Sequence, residues 1–135
     1  MDKKFYVTFE TAKLLKEKGF NKTVDKLIHL NQYNIPVIES PEKYYDESEV
    51  YNDYLYLKQN HYACPTKSEV IDWLEQNEIV IEINSIRNNK WRFSIYKNGR
   101  FQIDSWIHDR LDFSTRLEAE EAAIIKALEL YERSK

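Results

Sequence analysis

Glycine and cysteine are scarce in this sequence, and each shortage excludes a class of site. The 135 residues include two glycines, and neither belongs to a GxGxxG or GxxxxGKS/T pattern. A glycine-rich loop of either kind, which holds nucleotide phosphates through backbone N–H groups, is therefore excluded. The one cysteine, Cys64, cannot form an internal disulfide, so nothing here requires an oxidising compartment.

Long apolar runs are missing as well. No run approaches the roughly 18 residues that a membrane-spanning helix needs. The N-terminal stretch MDKKFYVTFETAK has lysines but no apolar core of a signal peptide. We therefore expect no membrane association and a cytoplasmic location. With 42% hydrophobic and 32% charged residues, the composition suits a single globular domain over residues 1–135.

Three segments carry helix signals. Thr8 can cap a helix through "FETAKLLKEK", and Gly19 can supply its left-handed end. In "PTKSEVIDWLEQN", Thr66 and Glu69 form a capping box before an apolar face. The last segment begins at Ser114 or Thr115 and continues to residue 133 with a long apolar stripe.

Three strands with alternating apolar residues lie between the last two helices. They are "EIVIEINSI", "KWRFSIY" and "RFQIDSWI", which places Phe101, Ile103 and Ile107 on the apolar face of the third strand. The connections "RNNK" and "KNGR" are turn sequences, and Asn98-Gly99 is a strong hairpin signal. The predicted fold class is α+β, with a three-stranded antiparallel meander packed on two helices (α-β-β-β-α, residues 65–133).

The first half, residues 1–64, is predicted to be an N-terminal helix followed by an extended, tyrosine-rich segment. Residues 24–33 fit a short helix or a strand, whereas "IPVIES" is predicted to be extended because of Pro36. A short strand is expected at "YLYLK". A connection as long as residues 40–63 is expected to be ordered by packing.

No catalytic constellation is visible in the sequence. His61 and Cys64 resemble a nucleophile pair, but residues three apart in an extended segment point in different directions. His29, His61, His108 and Cys64 show no metal-ligand spacing. We therefore predict no cofactor, no metal and no catalytic residues, with an enzyme as the least favoured hypothesis.

Two surfaces are candidates for contacts with a protein partner. The predicted alternation places Arg92, Tyr96, Trp106 and His108 on the outer sheet face, which is a contact surface if it is bare; packing of residues 1–60 over this face is the favoured expectation. The other candidate is the acidic segment 42–56, where Tyr51 and Tyr54 offer large contact areas at low entropic cost.

Bases are concentrated between residues 84 and 102, which contain no acid. Such a cluster predicts contacts to a nucleic-acid backbone as an alternative function. The five candidate residues are Arg87, Lys90, Arg92, Lys97 and Arg100.

The α-β-β-β-α order of elements over residues 65–133 resembles the topology of the double-stranded RNA-binding domain. The segment "STRLEAEEAAIIKALELY" is similar in apolar spacing to the final helix of that family. In that family a lysine cluster at the start of this helix grips phosphates. The present chain has Arg116 followed by Glu118, Glu120 and Glu121 there. The resemblance therefore implies the topology and argues against RNA binding.

A second resemblance extends over nearly the whole chain. The segments "YVTFETAKLLKEKGF", "YACPTKSEVIDWLEQNEIVIEI" and "TRLEAEEAAIIKALEL" resemble, in this order, small uncharacterised proteins of gut bacteria and of their phages and mobile elements. The resemblance implies a phage or prophage origin and supplies no functional residue. The favoured hypothesis is a non-enzymatic interaction or accessory protein that contacts a host or phage protein.

Overall fold

The computed structural model describes residues 3–54 and 57–131. It is an α+β structure that divides into two compact units, one ending at Thr66 and one formed by Lys67–Glu132. The helices are α1 (Phe9–Glu17), α2 (Lys67–Gln76), α3 (Ser105–Asp109) and α4 (Arg116–Leu130). The strands are β1 (Leu27–Leu30), β2 (Pro36–Glu39), β3 (Tyr62–Ala63), β4 (Ile79–Ile86), β5 (Lys90–Lys97) and β6 (Arg100–Asp104).

Helix α1 opens the N-terminal unit with the predicted caps. The Thr8 hydroxyl accepts a hydrogen bond from the Thr11 amide at 3.3 Å. At the other end Gly19 has φ +90°, and the Phe20 amide returns to the Leu15 carbonyl at 2.9 Å. Phe20 and Leu15 are both buried, so the left-handed turn folds the chain back onto the apolar face of the helix.

The segment with two open interpretations forms a strand, and the helical interpretation of residues 27–30 is wrong. Strand β1 lies between β2 and β3 in an antiparallel sheet of order β2-β1-β3. The predicted extended stretch at "IPVIES" is confirmed as β2, which follows a turn with Asn34 at φ +62°.

The described parts of the long connection, residues 40–54 and 57–61, are held by side-chain hydrogen bonds, as expected. The buried Asn52 side chain donates to the Phe20 carbonyl and accepts from the Ala63 amide, both at 2.9 Å. Val50 forms an isolated antiparallel bridge with Val24. The strand predicted at "YLYLK" lies in part outside the described residues.

The C-terminal unit contains the predicted meander, with strand order β4-β5-β6. Strands β4 and β5 are paired along their whole length, so that Ile81 faces Ile95 and Ile83 faces Phe93. The hairpin between β5 and β6 turns at Asn98 (φ +53°) and Gly99 (φ +78°), as the sequence predicts.

Helices α2 and α4 cover the apolar face of this sheet. Buried Val70, Trp73 and Leu74 line α2, and buried Ala119, Ala123, Ile124, Ala127 and Leu128 line α4. The alanines allow α4 to lie close to the sheet. Thr115 caps α4, since its hydroxyl accepts from the Glu118 amide at 3.1 Å.

The third strand is shorter than predicted. It ends at Asp104. The residues expected to continue the strand belong instead to helix α3, and they include Trp106, Ile107 and His108. The Asp104 carboxylate accepts from the amides of Trp106 and Ile107 at 2.9 and 3.0 Å. Aspartate is a preferred N-cap, and this capping starts the helix.

A β-bulge also changes which face of the sheet Phe101 occupies. Ile103 faces Ile95 on the apolar side, but Phe101 faces Tyr96, so Gln102 is the extra residue. One extra residue moves the following positions to the opposite face. The prediction that Phe101 and Ile107 share the apolar face with Ile103 is therefore wrong.

Candidate functional site

The outer face of the C-terminal sheet carries a connected group of exposed side chains. We name Val80, Tyr96, Phe101 and His108 the outer sheet patch. Val80 and Tyr96 are directly opposite on β4 and β5, and the Tyr96 and Phe101 rings are 5.9 Å apart. The Phe101 and His108 rings are 6.0 Å apart. Phe101 is 48% exposed and Val80 39%, so the patch presents apolar surface to solvent.

Trp106 lies beside this patch, although it comes from helix α3 and not from a strand. The Arg92 guanidinium lies over the indole ring at 4.2 Å, and the Arg110 guanidinium lies 5.5 Å from it. Arg92 also donates to the Asp112 carboxylate at 2.6 Å. Arg92 and Trp106, which the predicted alternation placed on one sheet face, are thus in contact, and stacking leaves the indole only partly exposed.

Hydrogen bonds fix the shape of the patch. Burial alone would raise the pKa of Asp104, but the amides of Ile107 and Trp106 stabilise its charged form and lower it. The Asp104 amide donates to the His108 imidazole at 3.0 Å, which holds that ring beside Phe101. A hydrogen bond to Glu82 raises the pKa of Tyr96.

The five predicted nucleic-acid contacts do not form one surface. Arg87 and Lys90 are at one end of the β4–β5 hairpin, whereas Lys97 and Arg100 are at the opposite end. At a rise of about 3.3 Å per residue, β5 separates the two pairs by roughly 23 Å. Arg92 is paired with Asp112, and Lys97 donates to the Leu130 carbonyl at 2.9 Å.

The N-terminal unit brings together a cluster that the sequence did not predict. We name His29, Glu39, Tyr44, Tyr45 and His61 the histidine–tyrosine cluster. The two imidazoles are stacked with centroids 4.9 Å apart, and His29 Nε2 is 2.8 Å from Glu39 Oε2. Tyr44 donates to the same carboxylate oxygen, and the Tyr45 hydroxyl is 3.1 Å from His61 Nδ1. The cluster joins β1, β2 and the tyrosine-rich segment.

Electrostatics hold Glu39 ionised within this cluster. Burial would raise its pKa, but hydrogen bonds from Lys43, Tyr44 and His29 outweigh that effect and lower the pKa to about 2. The Lys43 ammonium is 2.6 Å from Glu39 Oε1. The same carboxylate raises the pKa of Tyr44, which therefore remains protonated as a donor.

The neighbouring His61 is held in its neutral form. Burial lowers its pKa, and the positive charges of His29 and Lys58 lower it further. A neutral His61 imidazole can stack on the His29 ring without adding a positive charge to the cluster. Acid–base side chains are thus gathered here, but they hydrogen-bond one another, which fits a packing role.

The tyrosines predicted as a contact surface take part in this packing. Tyr54 contacts Tyr45 edge-to-face at 5.6 Å, and Tyr51 contacts Tyr54 at 5.8 Å. Tyr51 remains 38% exposed. The acids of this segment, Glu42, Asp46, Glu47, Glu49 and Asp53, are all exposed.

Cys64 is buried, and its thiol lies 3.7 Å from the Val7 carbonyl. His61, three residues away, makes its described contacts with the histidine–tyrosine cluster. Within the described ranges 3–54 and 57–131, no three His, Cys, Asp or Glu side chains are arranged to hold a metal ion. None of the helices in those ranges is both long enough and apolar enough to cross a bilayer.

Sequence reasoning missed the outward turn of Phe101 and the stacking of His29 on His61. The shorter strand β6 could have been anticipated from Asp104, an N-cap residue type followed by Ser-Trp-Ile-His. Nothing in the local sequence pairs His29 with His61, since they are brought together by the antiparallel pairing of Ile28 with Tyr62. Comparisons of the chain with protein-family models, with curated proteins and with solved structures give no match.

Proposed function

We propose that the protein is a non-enzymatic interaction protein that binds a protein partner through the outer sheet patch. The observation that carries the proposal is the bulge at Gln102, which turns Phe101 away from the apolar layer and leaves it 48% exposed. An aromatic ring that could have been buried and is instead held in solvent lowers the stability of the free chain. Contact with a partner recovers that burial.

The rigidity of the patch supports the same proposal. Phe101 is held between Tyr96 and His108, and His108 is fixed by the Asp104 amide. Side chains that are ordered before binding lose little entropy on association. An aromatic centre with Arg92 and Arg110 beside it also has the composition of a protein-binding surface, in which aromatic residues and arginine are enriched.

The biological setting belongs to the proposal and rests on the sequence resemblance to phage and gut-bacterial proteins. On that basis the chain is a phage or prophage accessory protein that acts in the host cytoplasm on a host or phage protein. Of the two predicted contact surfaces, the outer sheet patch is favoured. The described tyrosines of segment 42–56, which are Tyr44, Tyr45, Tyr51 and Tyr54, contact one another within their own unit.

The test uses a photo-crosslinking residue at position 101 of the full chain, expressed in bacterial host cells. Ile125 on α4 is the matched control position, because it is apolar and 37% exposed but not part of the patch. We expect a specific crosslinked protein from position 101 that position 125 does not give. The captured protein is then purified and its affinity is measured by calorimetry.

Phe101→Glu should weaken that affinity by at least about tenfold, whereas Ile125→Glu should leave it unchanged. Equal losses for the two variants, or no specific crosslink, would contradict the proposal. Salt-sensitive binding of the chain to single-stranded or duplex nucleic acid would favour the basic residues instead.

A further inference from the structure

Strand β4 forms one edge of the C-terminal sheet, and it is long enough for another strand to pair with its free edge. The sheet order is β4-β5-β6, and β4 extends over Ile79–Ile86. Among the described residues, β4 pairs with β5 alone. A strand of this length at an edge leaves a row of backbone donors and acceptors without a strand partner.

The hydrogen-bond pattern identifies which residues present those groups. Trp91 exchanges both of its backbone hydrogen bonds with Phe113, each at 2.9 Å, on the side of β5 away from β4. Trp91 and Ser85 are therefore a non-hydrogen-bonded pair of the β4–β5 ladder. Because pair types alternate along an antiparallel ladder, the pairs two positions away are of the same type. They are Phe93 with Ile83 and Ile95 with Ile81. The N–H and C=O groups of Ile81, Ile83 and Ser85 consequently point to the free edge.

This edge lacks the devices that prevent strands from pairing. Residues 79–86 contain no proline and no lysine, and the β4–β5 register shows no bulge. Glu82 is the one charged residue in the strand. Ile81 and Ile83 remain partly exposed beside the apolar layer, so a neighbouring strand would also bury apolar surface.

We infer that β4 pairs antiparallel with β4 of a second copy of the chain, with the two-fold axis at Ile83. In this register Ile81 of one copy pairs with Ser85 of the other, and the outward-pointing backbone groups meet. Glu82 lies opposite Asn84 of the second copy, where the amide can donate to the carboxylate. Shifting the register so that the axis lies at Glu82 would place two carboxylates directly opposite each other.

The ends of the strand also match in charge. Glu78 precedes β4 and Arg87 follows it, and both are exposed. In the register with the axis at Ile83, Arg87 of each copy lies opposite Ile79 of the other, one position along the chain from Glu78. Edge pairing alone buries less than the roughly 1,200 Å² of a standard interface, so the dimer should be weak and concentration-dependent.

Sedimentation velocity of the full chain over a concentration series tests the inference. We expect the wild type to change from monomer to dimer as its concentration rises. Ser85→Pro removes an N–H that points to the free edge, at an exposed position where β5 accepts no bond from it. This variant should remain monomeric, while Ser85→Ala, which keeps the N–H, should dimerise like the wild type.

Two further variants test the register. Asn84→Glu places like charges opposite each other and should weaken dimerisation by about tenfold or more. The double variant Glu82→Asn with Asn84→Glu exchanges the two side chains across the pair, so it should dimerise like the wild type. Phe101→Glu, on the outer sheet patch, should leave dimerisation unchanged, which separates this inference from the proposed function.

A wild type that stays monomeric at every concentration would overturn the inference. So would a dimer that persists in folded Ser85→Pro, or one that Asn84→Glu leaves unchanged. Circular dichroism of each variant establishes that it is folded. If Ser85→Pro does not fold, the charge pair Asn84→Glu and its double variant still decide the question.

Discussion

The two units of the chain both bury an apolar core, but they differ in strand length and in the polar contacts that accompany the core. In the C-terminal unit, strands of eight, eight and five residues present one apolar face to α2 and α4. In the N-terminal unit the strands have four, four and two residues, and a long connection is held by side-chain hydrogen bonds. Both units bury apolar side chains, and the N-terminal unit depends in addition on particular polar partners.

This difference predicts how each unit responds to mutation. Apolar burial is not directional, so a core position tolerates shape changes but loses stability in proportion to the volume removed. When one partner of a hydrogen-bonded cluster is replaced, little volume is lost. The remaining partners are then buried without a hydrogen bond, which lowers the free energy of unfolding.

The largest effect is expected from Phe93→Ala in the C-terminal unit. Phe93 is fully buried between the sheet and its helices, and its ring stacks on Phe113 at 6.0 Å. Removing it should lower the free energy of unfolding by about 3–5 kcal/mol. Urea unfolding measures the change. Phe101→Ala is the control, since that exposed ring should cost less than about 1 kcal/mol; similar losses for both would contradict the assigned faces.

Glu39→Gln should have the next largest effect, in the N-terminal unit. The carboxylate accepts bonds from Lys43, Tyr44 and His29, and bonds to a charged group contribute about 1.5–3 kcal/mol. Allowing for partial solvent exposure, we expect a loss of about 2 kcal/mol. Hydrogen exchange should show it in β1 and β2. Glu42→Gln, at an exposed position, should change neither strand.

The same substitution should remove a pH dependence. The pKa of Glu39 is lowered from 4.5 to about 2, so its stabilisation is complete above pH 4.5 and is lost as the pH falls toward 2. Unfolding free energies measured across this range should fall less steeply in Glu39→Gln than in the wild type. Parallel curves for the two proteins would mean that the carboxylate is not stabilised by its neighbours.

Periodicity predicted the C-terminal unit because its contacts depend on apolar spacing. The alternation in β4 and β5, the cap at Thr115 and the Asn98-Gly99 turn are local signals, and each was confirmed. The prediction failed at β6, where local chemistry competes with alternation. Asp104 starts a helix, and the bulge at Gln102 is set by pairing with β5, which no single segment encodes.

The histidine–tyrosine cluster could not be predicted for a different reason. Its members lie far apart in the sequence, and they meet because β1 lies between β2 and β3. Their spacing follows neither a helix nor a strand period, so the sequence does not show that the tyrosines pack together. Tyr51 and Tyr54 were therefore predicted to be contact residues for a partner. What the sequence did indicate was that so long a connection needs packing of its own, and Tyr44 and Tyr45 supply part of it.

Matched cap deletions compare the two units directly with a small perturbation. Thr8→Ala and Thr115→Ala each remove a hydroxyl that accepts from the amide three residues on. Each should lower the free energy of unfolding by about 1 kcal/mol. Hydrogen exchange should place the first loss in α1 and the second in α4. A loss from Thr8→Ala that appears chiefly in α4 would show that the units do not respond separately.

The smallest effect concerns His61, whose pKa is lowered by burial and by the nearby charges of His29 and Lys58. The other groups around it are the carboxylate of Glu39 and the hydroxyls of Tyr44 and Tyr45. Because the folded state binds the proton less readily than the unfolded state, stability is complete above the ordinary value of 6.5 and declines as the pH falls below it.

Nuclear magnetic resonance titration should therefore show the His61 ring becoming protonated below pH 6.5, together with a gradual loss of protection in β1 and β3. His61→Phe keeps an aromatic ring on His29 but has no titrating proton, so it should abolish the part of the pH dependence that this residue causes. If His61 instead becomes protonated above 6.5, burial and the neighbouring charges do not favour its neutral form. The neutral partner assigned to His29 in the histidine–tyrosine cluster would then be incorrect.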